Sequence, residues 1–159
     1  MRVAQAGERS GYPVDILEED KLGGHTLERH VGKSEQYLRA RVLESRKSIP
    51  GVGEYGEKRA GSFTSVEAAN KLINSVIAEP QNQQKLKSFG EGNLLFLLPN
   101  LYLYPTSSFR SPTGYEAFAP NGRSEPIIRP TNSLEVRVRR TGNNSRGWYI
   151  YSAFPLTED

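Results

Sequence analysis

With 159 residues, no cysteine and two histidines, the chain is long enough for one domain with its own core, but has no disulfide to hold it and no thiolate to serve as nucleophile or ligand. A hydrophobic fraction of 36% beside 25% charged residues describes a globular chain, and no stretch approaches the ~20 apolar residues of a membrane-spanning helix. The net charge of +3 admits an acidic partner, while a zinc site would need two carboxylates besides both histidines, so neither metal nor cofactor is expected.

Residues 1–13 read as a flexible tail: polar, punctuated by Gly7, Gly11 and Pro13, and without periodicity. Residues 14–159 then form the domain. Val14, Ile16 and Leu17 lead into an acidic run as a short strand or anchoring segment. Thr26 is placed to cap a short helix that carries His30 and ends at Gly32, and Ser34 to cap a second over Glu35 to Arg46, with Tyr37, Leu38, Val42 and Leu43 as its apolar stripe. Pro50 to Gly56 is a loop. The clearest helix starts at Thr64-Ser65-Val66-Glu67, a capping-box pattern, and carries Ala68, Ala69, Leu72, Ile73, Val76 and Ile77 on one face until Pro80 stops it.

Gln81 to Gly90 is polar and partly helical in character. Leu94 to Leu98 and Leu101 to Tyr104 read as strands broken by Pro99-Asn100, and Tyr115 to Phe118 is the one strand expected in the Pro- and Gly-rich stretch from Pro105 to Pro130. Leu134, Val136 and Val138 alternate with Glu135, Arg137 and Arg139, which predicts a half-buried strand with a basic outer face. After a turn over Thr141 to Gly147, Trp148 to Phe154 is a last strand ending at Pro155. Strict alternation sets Trp148, Ile150, Ser152 and Phe154 on one face and Tyr149, Tyr151 and Ala153 on the other. Helices first and strands later, without βαβ alternation, make an α+β domain with N-terminal helices packed on a C-terminal antiparallel sheet.

Both histidines fall within Gly23 to Gly32, five positions apart, and histidine is the side chain that exchanges protons near neutral pH. Arg41 follows His30 by eleven positions. One unbroken helix would hold them about 16 Å apart, but Gly32 and Ser34 break it, and the corner folds Arg41 back towards His30. An imidazole that moves a proton beside a guanidinium that holds oxygens suits phosphate chemistry. Arg39 is either a phosphate contact or an exposed cation, and Ser152 either bonds its own backbone or offers a hydroxyl to phosphate or base. His25, about 140° round a helix from His30, faces the same substrate only if the Gly23-Gly24 entry bends back, and otherwise fixes the helix start.

The series Gly23-Gly24-His25-Thr26, His30-Val31-Gly32-Lys33-Ser34, Leu38 with Arg41, Ser62-Phe63 before a capped alanine-rich helix, and the closing Trp148-Tyr149-Ile150-Tyr151-Ser152-Ala153-Phe154-Pro155 resembles the bacterial ribonuclease A-like toxin domain. That domain sits at the C-terminal ends of contact-dependent inhibition (CdiA) and other polymorphic toxin proteins. The resemblance spans about Val14 to Pro155. It implies a kidney-shaped ribonuclease A-like fold without disulfides and metal-independent endoribonuclease activity by attack of a ribose 2′-hydroxyl, leaving a 2′,3′-cyclic phosphate. It also implies action in the cytoplasm of a competing cell, and neutralisation by a cognate immunity protein. Residue by residue it assigns His30 as general base and Arg41 as the anion-holding cation, and it places Ser152 and Phe154 where the family has a threonine and a tyrosine. Ser152 keeps a hydroxyl and Phe154 does not. The N-terminus has no apolar signal-peptide core, so the expected route is delivery as part of a larger parent protein. The alternatives are an inactive RNA-binding module, a domain whose basic face binds only a protein, or another two-histidine ribonuclease toxin fold.

Overall fold

The computed structural model describes residues 13–92 and 98–158, so most of the expected tail and residues 94–97 of the first expected strand lie outside the described residues. The first described element is helix α1 (Ile16–Lys21), whose first turn is capped by the Asp15 carboxylate, which accepts from the Leu17 N–H at 3.0 Å. Val14 and Ile16 are buried anchors, as expected, although the segment turns into a helix and not a strand. Helix α2 (Thr26–His30) follows. Thr26 is not its cap: Asp20, in the previous helix, reaches across and its two carboxylate oxygens accept from the N–H groups of Thr26 at 3.2 Å and Leu27 at 2.9 Å. A carboxylate held in a neighbouring element replaces the local cap, satisfying the first orphan donors and complementing the helix dipole.

Helix α3 (Glu35–Glu44) is capped by Ser34, whose hydroxyl accepts from Tyr37 N–H at 3.0 Å. It ends two residues before Arg46, and its buried stripe is Leu38 and Val42, Leu43 being 40% exposed. The Pro50–Gly56 loop is the turn and second strand of a hairpin, β1 (Lys47–Ile49) with β2 (Gly53–Tyr55). After β3 (Arg59–Ser62), helix α4 (Val66–Ile77) is capped by Ser65 and not Thr64, so Glu67 stands one place too early for the reciprocal capping-box bond. The polar stretch after it is a full helix, α5 (Pro80–Gly90): Pro80 opens this helix at a position where its missing N–H costs nothing.

Among the described residues the remaining strands are β4 (Asn100–Leu103), β5 (Gly114–Phe118), β6 (Ile127–Thr131), β7 (Ser133–Arg140) and β8 (Trp148–Leu156). They build two three-stranded antiparallel sheets, β3-β5-β6 and β4-β7-β8. The strand β6 carries Pro130 and lies at a sheet edge, where proline is tolerated; that proline hid it in the sequence. Helices α1, α4 and α5 cover the second sheet, with Phe63, Ile73, Phe89, Leu103, Leu134, Val136, Val138 and Ile150 in the larger core. Helix α3 covers the first sheet through Leu38 and Val42, packed on Ala60, Ala117 and Ala119. The α+β class and the antiparallel sheets are as expected, with β1 to β3 intervening between the helices.

The two sheets touch where the end of β8 crosses β3 and β5. A Cβ at Gly61 would overlap the Pro155 carbonyl oxygen, and one at Gly114 would meet the Pro155 ring at 2.9 Å, so both glycines are there to let backbones approach. The β7–β8 ladder runs Glu135↔Phe154, Val136↔Ala153 and Arg137↔Ser152, then jumps to Val138↔Ile150. Tyr151 is the extra residue of a β-bulge, and beyond it the strand changes phase. Trp148, Ile150 and Ala153 therefore share the core, while Ser152 and Phe154 face away from it. This corrects the strict alternation, which grouped Ser152 and Phe154 with Trp148 and Ile150.

Candidate active site

Beside the crossing of the two sheets lies a cleft of about 800 Å³, lined by His25, His30, Arg41, Tyr104, Glu135, Arg137, Tyr151, Ser152 and Phe154, with Arg29, Lys58 and Arg59 among the cations at its walls. His30 arrives at the end of α2, where its backbone is stitched to the residue after β3: its carbonyl accepts from Phe63 N–H at 2.7 Å, and Gly32 N–H donates back to the Phe63 carbonyl at 2.8 Å. The His30 ring is 7% exposed, with Nδ1 3.0 Å from the Gly61 carbonyl oxygen. A carbonyl can only accept, so Nδ1 carries the proton and Nε2 keeps its lone pair. Burial pushes the His30 pKa down to about 3; the Gly61 bond opposes this and nearby Arg41 adds to it. The ring is neutral at pH 7.

His25 lines the same cleft. It precedes the helix in a non-helical conformation, and Gly23 has φ +122°, so the Gly-Gly entry does bend back. The His25 N–H donates to the Tyr151 carbonyl at 2.9 Å and its ring meets the Tyr151 ring edge-on at 6.0 Å. Burial lowers its pKa, Arg29 lowers it further and Asp20 opposes. Gly24 is pressed against its surroundings: a Cβ there would meet Asp20 Oδ1 and the Ile150 carbonyl at 2.7 Å. Next to it Glu19, 4% exposed, accepts from Ile150 N–H at 2.9 Å and pairs with Arg146. The acidic run of α1 is thus the clamp that holds α2 and β8 together behind the two histidines.

Arg41 reaches the cleft from α3. One end of its guanidinium lies 3.7 Å from Glu57, and its Nη1 is buried with no hydrogen-bond partner, a donor left unspent in a residue that lines the same cleft as His30. Ser152 is 4% exposed on the cleft wall. Phe154 is half-buried there, its ring centroid 5.2 Å from that of His30 and 5.0 Å from the Arg137 guanidinium. It is a wall of the cleft and not a core residue. Arg39 is exposed and does not line the cleft.

Glu135, Arg137, Tyr104 and Tyr151 were missed in the sequence. Arg137 Nε pairs with Glu135, which also accepts from the Tyr104 hydroxyl at 2.7 Å. Burial, together with that bond to a carboxylate, raises the Tyr104 pKa to about 12. The available signal was the β7–β8 hairpin itself, since pairing its strands sets Glu135 beside Phe154 and Arg137 beside Ser152. Such a cleft can take a proton at His30, hold an anion between Arg41 and Arg137, and donate hydrogen bonds from Ser152. Among the described residues no group of three or more histidine, aspartate or glutamate side chains is arranged to hold a metal ion, and no helix is long and apolar enough to cross a membrane.

Residues 24–155 match the model of the bacterial CdiA-CT RNase A domain. The fold matches the crystal structure of a CdiA-CT/CdiI complex from Y. kristensenii 33638, with a TM-score of 0.59 and 25% sequence identity over 84% of this chain and 99% of that one. A comparison with curated proteins finds no match.

Proposed function

From the premise that the chain belongs to the bacterial CdiA-CT RNase A domain family, a family of ribonuclease toxin domains, we propose that the cleft cuts RNA without a metal, by intramolecular transfer. His30 Nε2 takes the proton of a ribose 2′-hydroxyl, whose oxygen attacks the adjacent phosphorus. The bond to the 5′-oxygen breaks, and that oxygen leaves with a proton from the protonated form of His25, which the bound phosphate and Asp20 favour against the opposing effects of burial and Arg29. The products are a 2′,3′-cyclic phosphate and a 5′-hydroxyl. Arg41 Nη1 donates to a non-bridging oxygen as charge builds on it, and the Ser152 hydroxyl gives a second hydrogen bond.

The observation that carries this reading is the state of His30: fixed in the Nδ1–H tautomer by Gly61, neutral, and in one cleft with Arg41, whose buried Nη1 has no hydrogen-bond partner. The low pKa keeps the base unprotonated in the empty cleft, and an incoming phosphate raises it towards the value a general base needs. Incubation of purified protein with total RNA in excess chelator, followed by end-group analysis, tests it. Cyclic phosphate and 5′-hydroxyl ends, lost about 10²–10⁴-fold in His30→Ala with unchanged circular dichroism, are expected. Near-wild-type cleavage by that variant overturns the assignment. His25 as proton donor is checked separately: His25→Ala should be rescued by a substrate whose leaving group is acidic enough to depart unprotonated.

The neighbouring structure is a complex of CdiA-CT with CdiI. By analogy this chain has a cognate immunity protein as partner, travels on a larger parent protein and acts on RNA in the recipient's cytoplasm. A cleft that binds RNA without cutting it is the second reading, favoured by Phe154, which offers no hydroxyl at the strand end. RNA bound with a steep salt dependence but left intact would select it.

A further inference from the structure

The outer face of the β4-β7-β8 sheet continues from the cleft as an ordered grid of rings and cations. The register sets Asn100, Arg139 and Tyr149 in one row and Tyr102, Arg137 and Ser152 in the next. Tyr104, Glu135 and Phe154 follow at the cleft. The opposite face of the same strands is fully buried through Leu103, Val136, Val138 and Ile150, so these outward residues are not spent on the core. Tyr102 is 43% exposed and does not line the cleft. The Arg137 guanidinium lies 5.0 Å from the Tyr102 ring centre, and Arg139 is stacked on Tyr151 at 3.9 Å. Arg139 is also held by Asn100, its Nε donating at 3.2 Å.

We propose that this face is a flanking subsite for single-stranded RNA, on which Tyr102 stacks a base and Arg139 holds the backbone of the strand leading out of the cleft. The inference rests on the ribonuclease reading and extends it from the scissile phosphate to its neighbours. Exposed rings with guanidinium groups between them are the two ingredients of sequence-tolerant single-strand binding. Cations on Arg137 and Arg139 complement a polyanion, and the grid is continuous with the cleft through Tyr151 and Arg137. The spacing fits as well. Same-face residues recur about every 6.8 Å along a strand, roughly twice the 3.4 Å rise per nucleotide of a stacked strand, so successive rows meet every second nucleotide of a stacked chain, or successive nucleotides of one unstacked to about twice that rise. A duplex would not present its bases to such rings.

The experiment compares RNA lengths. A fluorescein-labelled 2′-O-methyl decamer lacks the nucleophile, so its binding is read by anisotropy without cleavage, and cleavage of a dinucleotide reports on the cleft alone. Tyr102→Leu and Arg139→Gln should each weaken decamer binding roughly tenfold, and Arg139→Gln should also flatten the salt dependence by about one phosphate contact. Tyr102→Phe should bind like wild type, because the ring and not the hydroxyl is used. The penalty on dinucleotide cleavage should be several-fold smaller than that on the decamer. Decamer affinity unchanged in both Tyr102→Leu and Arg139→Gln, or an equal penalty on both lengths, overturns the proposal and leaves the face to a protein partner. Failure of the wild type to cleave total RNA sinks the ribonuclease reading instead, while decamer binding still decides the subsite.

Discussion

His30 should make the protein sensitive to mild acid, by an amount that follows from its surroundings. Burial holds its pKa near 3 in the fold, against about 6.5 in an unfolded chain. The folded pKa is depressed, so the unfolded chain binds the extra proton, and stability is lost as pH falls below 6.5 and levels off only near 3. Between pH 7 and pH 5 the unfolded form gains about 1.4 units of protonation free energy that the folded form does not share, or about 2 kcal/mol. For a chain of this size that is a fall in Tm of roughly 4–8 °C. Glu19 and Asp20, whose pKa values burial raises, work in the opposite direction, so the wild-type curve alone is not diagnostic. His30→Asn is the clean comparison. Its amide can still donate to the Gly61 carbonyl, it does not titrate, and every carboxylate is common to both proteins. Thermal unfolding at half-unit steps from pH 7 to pH 5 should show the wild type losing about 4–8 °C relative to the variant. Parallel curves would mean that His30 titrates normally, and that its burial against Gly61 does not hold in solution.

Arg41→Lys keeps the charge but not the fork that pairs one nitrogen with Glu57 and leaves buried Nη1 without a hydrogen-bond partner, so kcat/KM should fall at least about tenfold; equal activity would reduce Arg41 to a generic cation. Ser152→Ala should cost less than either change, and Ser152→Thr should retain activity. Phe154→Tyr adds a hydroxyl on a ring that lines the cleft, so Tm should hold while the cleavage rate rises; a marked drop in Tm without a gain in rate removes Phe154 from the site. Gly61→Ala forces a methyl into the Pro155 carbonyl and displaces the acceptor of His30, so urea unfolding should show a loss of about 1–3 kcal/mol together with loss of cleavage. A variant as stable and active as wild type would show that β3 and β8 are not packed that closely.

Much of this was legible wherever the physics is local. The apolar face of α4, the Ser34 cap and the alternation of β7 each follow from a few consecutive residues, and each is where the pattern put it. What escaped depended on partners distant in sequence. Asp20 caps α2 from another helix, so the nearby Thr26 was mistaken for the cap. Pro130 concealed an edge strand because a sequence does not say which strands are edges. The bulge at Tyr151 mattered most for the site. Its effect is to reverse the facing of Ser152 and Phe154, and no residue in the last strand marks it. His25 and His30 were recognised as a pair, but their convergence rests on the left-handed turn at Gly23 and on a bond to Tyr151.

Two asparagines of α4 do work that a small domain often leaves to a covalent link. Asn74 accepts from the Val14 N–H at 3.0 Å and donates to its carbonyl at 2.8 Å, while Asn70 accepts from the Ile16 N–H at 2.9 Å. One helical turn apart, the two amides imitate the edge of a neighbouring strand and tie the segment leading into α1 to α4, the longest helix among the described residues. Since the tie is made of hydrogen bonds and the chain has no thiol, its covalent structure is the same in oxidising and reducing surroundings. Unfolded protein should regain the native state at the same rate with or without dithiothreitol, and a domain built this way can be unravelled in one compartment and refolded in another with nothing to oxidise and nothing to reshuffle.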